Sequence, residues 1–206
     1  PIVFVRERGW KRGDSPATAD LRKGTGLLDV YLGSLRIVIP DGADEELRGL
    51  AGRFARPSSN GFDSRIYVDY PVYQAGEIPR HLFAHNLILL DRCGENPLVE
   101  RFRDRLAVDY DGEGYTYQGV RRQGEYVILQ VLPNPCDARR SMLVVSYNSS
   151  ALLKRHLLLR RIIIPTYVNG IDPYWNNAVL VYTGRYWAAY EKGDPLSPVE
   201  GSAPPS

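Results

Sequence analysis

Residues 86–100, NLILLDRCGENPLVE, decide the fold class. The unbroken apolar run Asn86 to Leu90 has no wet face, which is the pattern of a strand buried on both sides. Asn96-Pro97 then starts a helix by a definite mechanism. The asparagine side chain accepts from free backbone N–H groups at the N-cap, and proline at the first helical position gives up no hydrogen bond. This helix is predicted to run to about Leu106. A doubly buried strand feeding a helix is the unit of a parallel sheet covered on its faces.

The same rhythm extends both ways along the chain. Upstream, Ile2 to Val5 reads as a strand, Arg6 to Gly26 as a loop and Leu27 to Ile39 as a strand region ending at Pro40. Asp44 to Ala55 places Leu47, Leu50, Ala51 and Phe54 at helical spacing behind an acidic first turn. Ile66 to Val72 reads as a strand and Ile78 to Ala84 as a short helix. Downstream, Ala107 to Tyr110 and Tyr115 to Val120 read as short strands, and Arg121 to Gly124 as a turn. Tyr126 to Leu132 is the next strand, followed by a Pro133-Asn134-Pro135 loop. Met142 to Tyr147 is a buried strand, Ser149 or Ser150 caps a helix through Leu159, and Ile162 to Val168 is a strand. Ala178 to Thr183 and Tyr186 to Tyr190 form a hairpin around Gly184-Arg185. The expected fold is α/β: a three-layer, flavodoxin-like arrangement with a mostly parallel sheet and a C-terminal antiparallel hairpin. One domain is expected over 1–191, with a flexible Pro/Ser-rich tail over 192–206.

Composition narrows the function classes. A net charge of +2 on 206 residues gives no field that would hold a polyanion, and the pairs Arg121-Arg122, Arg139-Arg140 and Arg160-Arg161 are scattered, so no nucleic-acid partner is expected. The apolar runs are far shorter than the roughly 20 residues of a membrane span. Arginine far outnumbers lysine among the 26 basic residues, a bias that a hot habitat or genomic base composition would each produce. Asn148-Ser149-Ser150 is a glycosylation sequon, in keeping with export.

No Gly-x-Ser-x-Gly elbow projects a nucleophilic serine, and no phosphate loop or dinucleotide fingerprint is present. No catalytic residue and no cofactor are therefore expected. His81 and His85 share an i, i+4 spacing with Glu77 one turn earlier, but a metal site needs three or four convergent ligands, and end-capping of the short helix is the plainer role for His85; no metal is expected. A free N-terminal proline such as Pro1 would be a general base if neutral in an apolar pocket, although a processing boundary explains it more simply.

Asp91, Arg92, Asn96, Asn134 and Asp137 all follow predicted strands, and open α/β sheets bind ligands outside the carboxyl ends of their strands. They form the candidate binding crevice. Cys93 and Cys136 each follow a central strand too, which places them at one sheet edge and predicts a disulfide; closing a loop of about 43 residues would stabilise by about 3 to 4 kcal/mol. Tyr182, Tyr186, Trp187 and Tyr190 put aromatic bulk on both faces of the terminal hairpin. If that hairpin lies at a sheet edge, they are a candidate interaction surface.

The order of pieces resembles a known domain. Asn86-Leu-Ile-Leu-Leu90 through Gly94-Glu-Asn-Pro97, then Tyr117-Gln-Gly119, Val131-Leu-Pro-Asn-Pro135 and Leu143-Val-Val145 resemble the flavodoxin-like accessory domain found C-terminal to the catalytic module of secreted prolyl-oligopeptidase-like and esterase-like proteins. Asp91-Arg92-Cys93 stands where small residues are usual in that pattern. The resemblance implies an extracellular accessory module and carries over no catalytic residue. Two function classes follow: a non-catalytic interaction or assembly module, whose partner is itself or an attached hydrolase, or a small-ligand-binding or enzymatic domain using the strand-end crevice.

Overall fold

The computed structural model describes residues 3–6, 10–13, 30, 33–56, 69–158, 179–183, 187–190 and 199–200, and among these the strands and helices with described bounds are as follows. The elements in chain order are β1 (Val3–Arg6), β2 (Trp10–Gly13), β3 (Leu35–Ile39), α1 (Glu45–Ala55), β4 (Val72–Gln74), a 3-10 turn (Arg80–Ala84) and β5 (Asn86–Arg92). Then follow α2 (Pro97–Glu100), a second 3-10 turn (Arg103–Arg105), β6 (Val108–Tyr110), β7 (Gly114–Tyr117), β8 (Val120–Gln123), β9 (Val127–Asn134), β10 (Asp137–Tyr147), α3 (Ser150–Leu158), β11 (Val179–Tyr182), β12 (Trp187–Tyr190) and β13 (Val199–Glu200).

The architecture is mixed α/β. Eight strands form one sheet in the order β13-β12-β11-β9-β10-β5-β3-β4. The pairs β4/β3, β3/β5 and β5/β10 are parallel, whereas β10/β9, β9/β11, β11/β12 and β12/β13 are antiparallel. The sheet is thus parallel on one side of β10 and antiparallel on the other. The expected C-terminal hairpin is there, with Tyr182 opposite Trp187. β13, which lies within the expected 192–206 tail, pairs with β12. β1 and β2 make a separate antiparallel ribbon, and the expected strand Ile162 to Val168 lies outside the described residues, as does Pro1.

Alternation along the strands sends apolar side chains to both faces. On one face Leu35, Ile37, Ile39, Ile88, Leu90, Leu129 and Val145 pack against Leu47, Leu50, Ala51 and Phe54 of α1 and Leu152 and Leu153 of α3. Helix α1 starts where Asp44 Oδ1 accepts from the Leu47 N–H at 2.8 Å, and α3 where Ser149 Oγ accepts from the Leu152 N–H at 3.2 Å. On the other face Val38, Leu87, Leu89, Ile128, Met142 and Val144 pack under Leu82, Leu98, Val99, Val108, Tyr110, Tyr115 and Tyr126. That cover is built from α2, the 3-10 turns and the three-stranded β6-β7-β8 sheet.

Several expected elements take a different form: β2 lies within the expected Arg6 to Gly26 loop, the strand expected over Ile66 to Val72 is coil at 69–71 with β4 starting at Val72, and three more differ as follows. The helix from Pro97 breaks at Arg101 and resumes as a 3-10 turn, because Phe102 and Leu106 tuck back against the core and draw i to i+3 bonds such as Phe102 N–H to Val99 C=O, 2.9 Å. Arg121 to Gly124 is not the turn. The turn is Gln118-Gly119, where φ is +48° and +78°, the doubly left-handed form that joins strands directly. Val120 therefore pairs straight back with Tyr117. Finally, Pro133-Asn134-Pro135 is no open loop: β9 continues through Asn134, Pro135 and Cys136 make a two-residue turn, and Asp137 pairs with Asn134.

That last turn fixes direction. A two-residue connection can only join antiparallel strands, so β9 runs opposite to β5 and its carboxyl end lies at the amino ends of the parallel strands. Asn134 Nδ2 accordingly donates to the carbonyls of Phe83, 2.5 Å, and His85, 2.7 Å, just before β5. Cys136 lies beside that end, while Cys93 lies beyond the opposite end of β5; at roughly 3.3 Å per residue the two are about 25 Å apart. The predicted disulfide is therefore corrected: both thiols are free, since a bridge needs Cα atoms within about 7 Å. Thiol titration of the native protein is expected to count two free cysteines, and reductant is expected to leave Tm unchanged. One thiol pair missing from the count would contradict the strand direction.

Candidate functional site

The parallel strands run β4-β3-β5-β10 across the sheet, which is second, first, third, fourth in chain order. Order reverses between β3 and β5, and at such a switch point the strand ends diverge and leave a ligand crevice. The residues there are Pro40 to Asp44 after β3 and Asp91 to Asn96 at the end of β5.

Asn96 fills the gap. It is fully buried, its Oδ1 accepts from the Leu98 N–H at 3.0 Å, and its Nδ2 donates to the Leu90 carbonyl at 2.9 Å and the Val38 carbonyl at 3.4 Å. One side chain caps α2 and ties β3 to β5 at the point where they would part. Asp91 is also fully buried. Its carboxylate accepts from the Asn96 N–H at 2.7 Å, the Gly94 N–H at 3.0 Å and the Tyr110 hydroxyl at 2.7 Å. Burial pushes its pKa above the usual carboxylate range against the pull of those donors, and burial beside Asp91 raises the Tyr110 phenol as well. Ser146, opposite Asp91 on β10 and fully buried, lies beside the same phenol. Arg103 closes the outside, with its guanidinium 5.2 Å from the Tyr110 ring centre and ion-paired to Asp109 and Glu100.

On the helical face Arg92 bridges two carboxylates, Asp44 at 2.8 Å and Glu95 at 3.1 Å. Asp44 is at once the α1 cap and an arginine partner, and both roles hold its pKa low, the Leu47 N–H first. Glu95 and then Asp44 raise Arg92. Cys93 sits at φ +54° with its N–H on the Tyr147 carbonyl, 3.2 Å, and burial pushes its thiol up, away from the reactive thiolate.

The five crevice residues thus divide. Asp91, Arg92 and Asn96 come together at the carboxyl end of β5. Asn134 and Asp137 stand at the opposite end of the sheet, for the reason of strand direction given above. There Asn134 holds the turn before β5, and Asp137 pairs with Arg139 at 2.9 Å, which keeps its pKa down at about 2. Tyr110, Ser146, Asp44 and Glu95 complete the β5 end, and only the Asp44 cap had a local signal in the sequence. The three hydrogen bonds on the buried Asp91 oxygens hold the turn after β5 and the Tyr110 ring in place.

The candidate interaction surface also divides. Tyr182 is buried, 3% exposed, in the face covered by α1 and α3, so it is corrected from a surface to a core residue. Its hairpin is flanked by β9 and β13 and does not form the sheet edge. Tyr186 lies outside the described residues, and so do the side chains of Trp187 and Tyr190. His81 lies in the 3-10 turn while His85 follows it in extended backbone, so the two do not share the face of an α-helix. Among the described residues no group of three or more His, Cys, Asp or Glu could hold a metal ion, and no helix is long and apolar enough to cross a membrane. Asn148 of the sequon spends its Nδ2 on the Gly124 and Gly112 carbonyls, at 3.0 and 3.3 Å. The chain matches no family model, no curated protein and no solved structure.

Proposed function

We propose that this chain is a non-catalytic association module, an extracellular domain that works by pairing with copies of itself or with an attached hydrolase. The observation that carries the reading is the sealed switch point: Asn96 and Asp91 take up the space and the hydrogen bonds that a ligand would need there. The β4-β3-β5-β10 order supports a flavodoxin-like ancestry for the parallel half, and the residue pattern of the secreted accessory domains points the same way. Backbone edges supply contact surface. Among the described residues β8 pairs only with β7, all four of its residues are exposed, and Val120 is 56% exposed. An open strand of this kind accepts another chain by backbone hydrogen bonding.

Sedimentation velocity over a rising concentration series, beside an assay with ester and peptide substrates, tests this. The sedimentation coefficient is expected to climb with concentration, without turnover. A monomer at every concentration removes self-association from the reading. Turnover abolished by substituting one of the chain's own residues overturns it.

A further inference from the structure

The opposite end of the sheet carries two arginines, Arg36 and Arg140, that make no ion pair among the described residues. Arg36 stands beside Leu87 on β5, and Met142 stands on that leucine's other side. Ser34, His85 and Arg140 gather beside Arg36 at the amino ends of three adjacent strands, since His85 feels the charge of both arginines. Ser34 Oγ and His85 Nδ1 are 2.5 Å apart. Gly33 brings the backbone close, since a Cβ there would stand 3.4 Å from an Arg140 terminal nitrogen.

The two arginines are underused. Arg36 gives one terminal nitrogen to the Leu35 carbonyl at 2.8 Å. The Nε atoms of Arg36 and Arg140 are buried with no hydrogen-bond partner. Neither guanidinium is ion-paired among the described residues. Asp137 feels the charge of Arg140, but its carboxylate is hydrogen-bonded to Arg139. His85 feels both arginines and His81 as well as its own burial, and all four lower its pKa. Unsatisfied buried donors and neighbouring like charges each cost free energy. An oxyanion would remove both costs together, and the guanidinium fork matches its oxygens.

We propose that the amino-terminal edge of the parallel strands is a binding site for a phosphate-class oxyanion, held between Arg36 and Arg140 with Ser34 and His85 at its side. The ligand would stand at the far end of the sheet from the sealed switch point, so this site does not depend on the association reading.

The test follows the His85 ring signals and Tm while inorganic phosphate is titrated into the full chain at constant ionic strength, with chloride as the control. Phosphate is expected to give a saturable shift at His85, an upward move of its titration midpoint and a higher Tm. Arg140→Met and Arg36→Met are each expected to weaken binding about tenfold. Ser34→Ala reports the site without touching a charge and is expected to weaken it less. Phenyl phosphate distinguishes the source: tighter binding than inorganic phosphate marks a phosphate group on a larger molecule, and equal binding marks the free ion. Chloride matching phosphate in the parent chain, or the Arg36→Met/Arg140→Met double variant binding phosphate as the parent does, overturns the proposal.

Discussion

Asp91→Ala is expected to lower the unfolding free energy by about 3 to 5 kcal/mol in urea denaturation. The carboxylate is the common acceptor for two backbone N–H groups and the Tyr110 hydroxyl, and alanine leaves all three donors facing a fully buried space. The loss measures the orphaned donors and not the worth of the charge, because burial makes the charge itself unfavourable. pH separates the two. Asp91 has its folded pKa raised above the unfolded value of 3.8, burial being the first cause. Its contribution to stability is then fully present below pH 3.8 and lost as pH rises through the folded value. Asp111 and Asp137, both held at about 2 chiefly by Arg121 and Arg139, run the other way: their contribution is present above 3.8 and lost as pH falls toward 2. Asp91→Asn keeps the shape and leaves those two untouched. The stability of the parent minus that of Asp91→Asn is expected to fall as pH rises from below 3.8. A difference that grows with pH would mean that the hydrogen bonds outweigh burial at Asp91.

Gly114→Ala is expected to cost about 3 kcal/mol or more and to open the small sheet. A Cβ on Gly114 would stand 2.1 Å from the Arg122 carbonyl oxygen, 2.9 Å from the Gln123 Cα and 3.0 Å from the Arg122 carbonyl carbon. All three are backbone atoms of β8, paired in register with β7, so no rotamer change relieves the clash. The strands must separate, and Tyr115, whose ring is 6.0 Å from that of Tyr126, loses its seat on the core. Gly112→Ala is the control, with nothing within 4 Å of its Cβ, and is expected to stay within about 0.5 kcal/mol of the parent. Equal stabilities for the two variants would show that β8 is not docked as described.

Local signals read true where the chemistry is local. The apolar run of β5, the helical spacing behind the acidic first turn of α1, and the Asn96-Pro97 start each follow from neighbours within a few residues. Strand direction is not such a property. Pro133-Asn134-Pro135 reads as a loop on composition, yet two residues of it decide that β9 returns antiparallel, and the misplacing of Asn134, Asp137 and the Cys93–Cys136 bridge comes from that one turn. Asn96 shows the same limit at the candidate site. Its cap role is written in the next two residues, whereas its tie from β3 to β5 uses the Val38 and Leu90 carbonyls, and a backbone acceptor has no side-chain signature. Tyr182 is covered by α1 and α3, which are remote in sequence, so its burial has no signal in the hairpin's own residues.

Hydrogen exchange at the Asn96 amide tests the sealed switch point most directly. That N–H donates to the buried Asp91 carboxylate at 2.7 Å, inside the gap that Asn96 itself closes. The account predicts that it exchanges only through global unfolding, with an opening free energy and urea dependence equal to those of the β5 and β10 core amides. Exchange through a local opening of low free energy and little urea dependence, with the core amides still protected, would contradict it and make the end of β5 an accessible crevice.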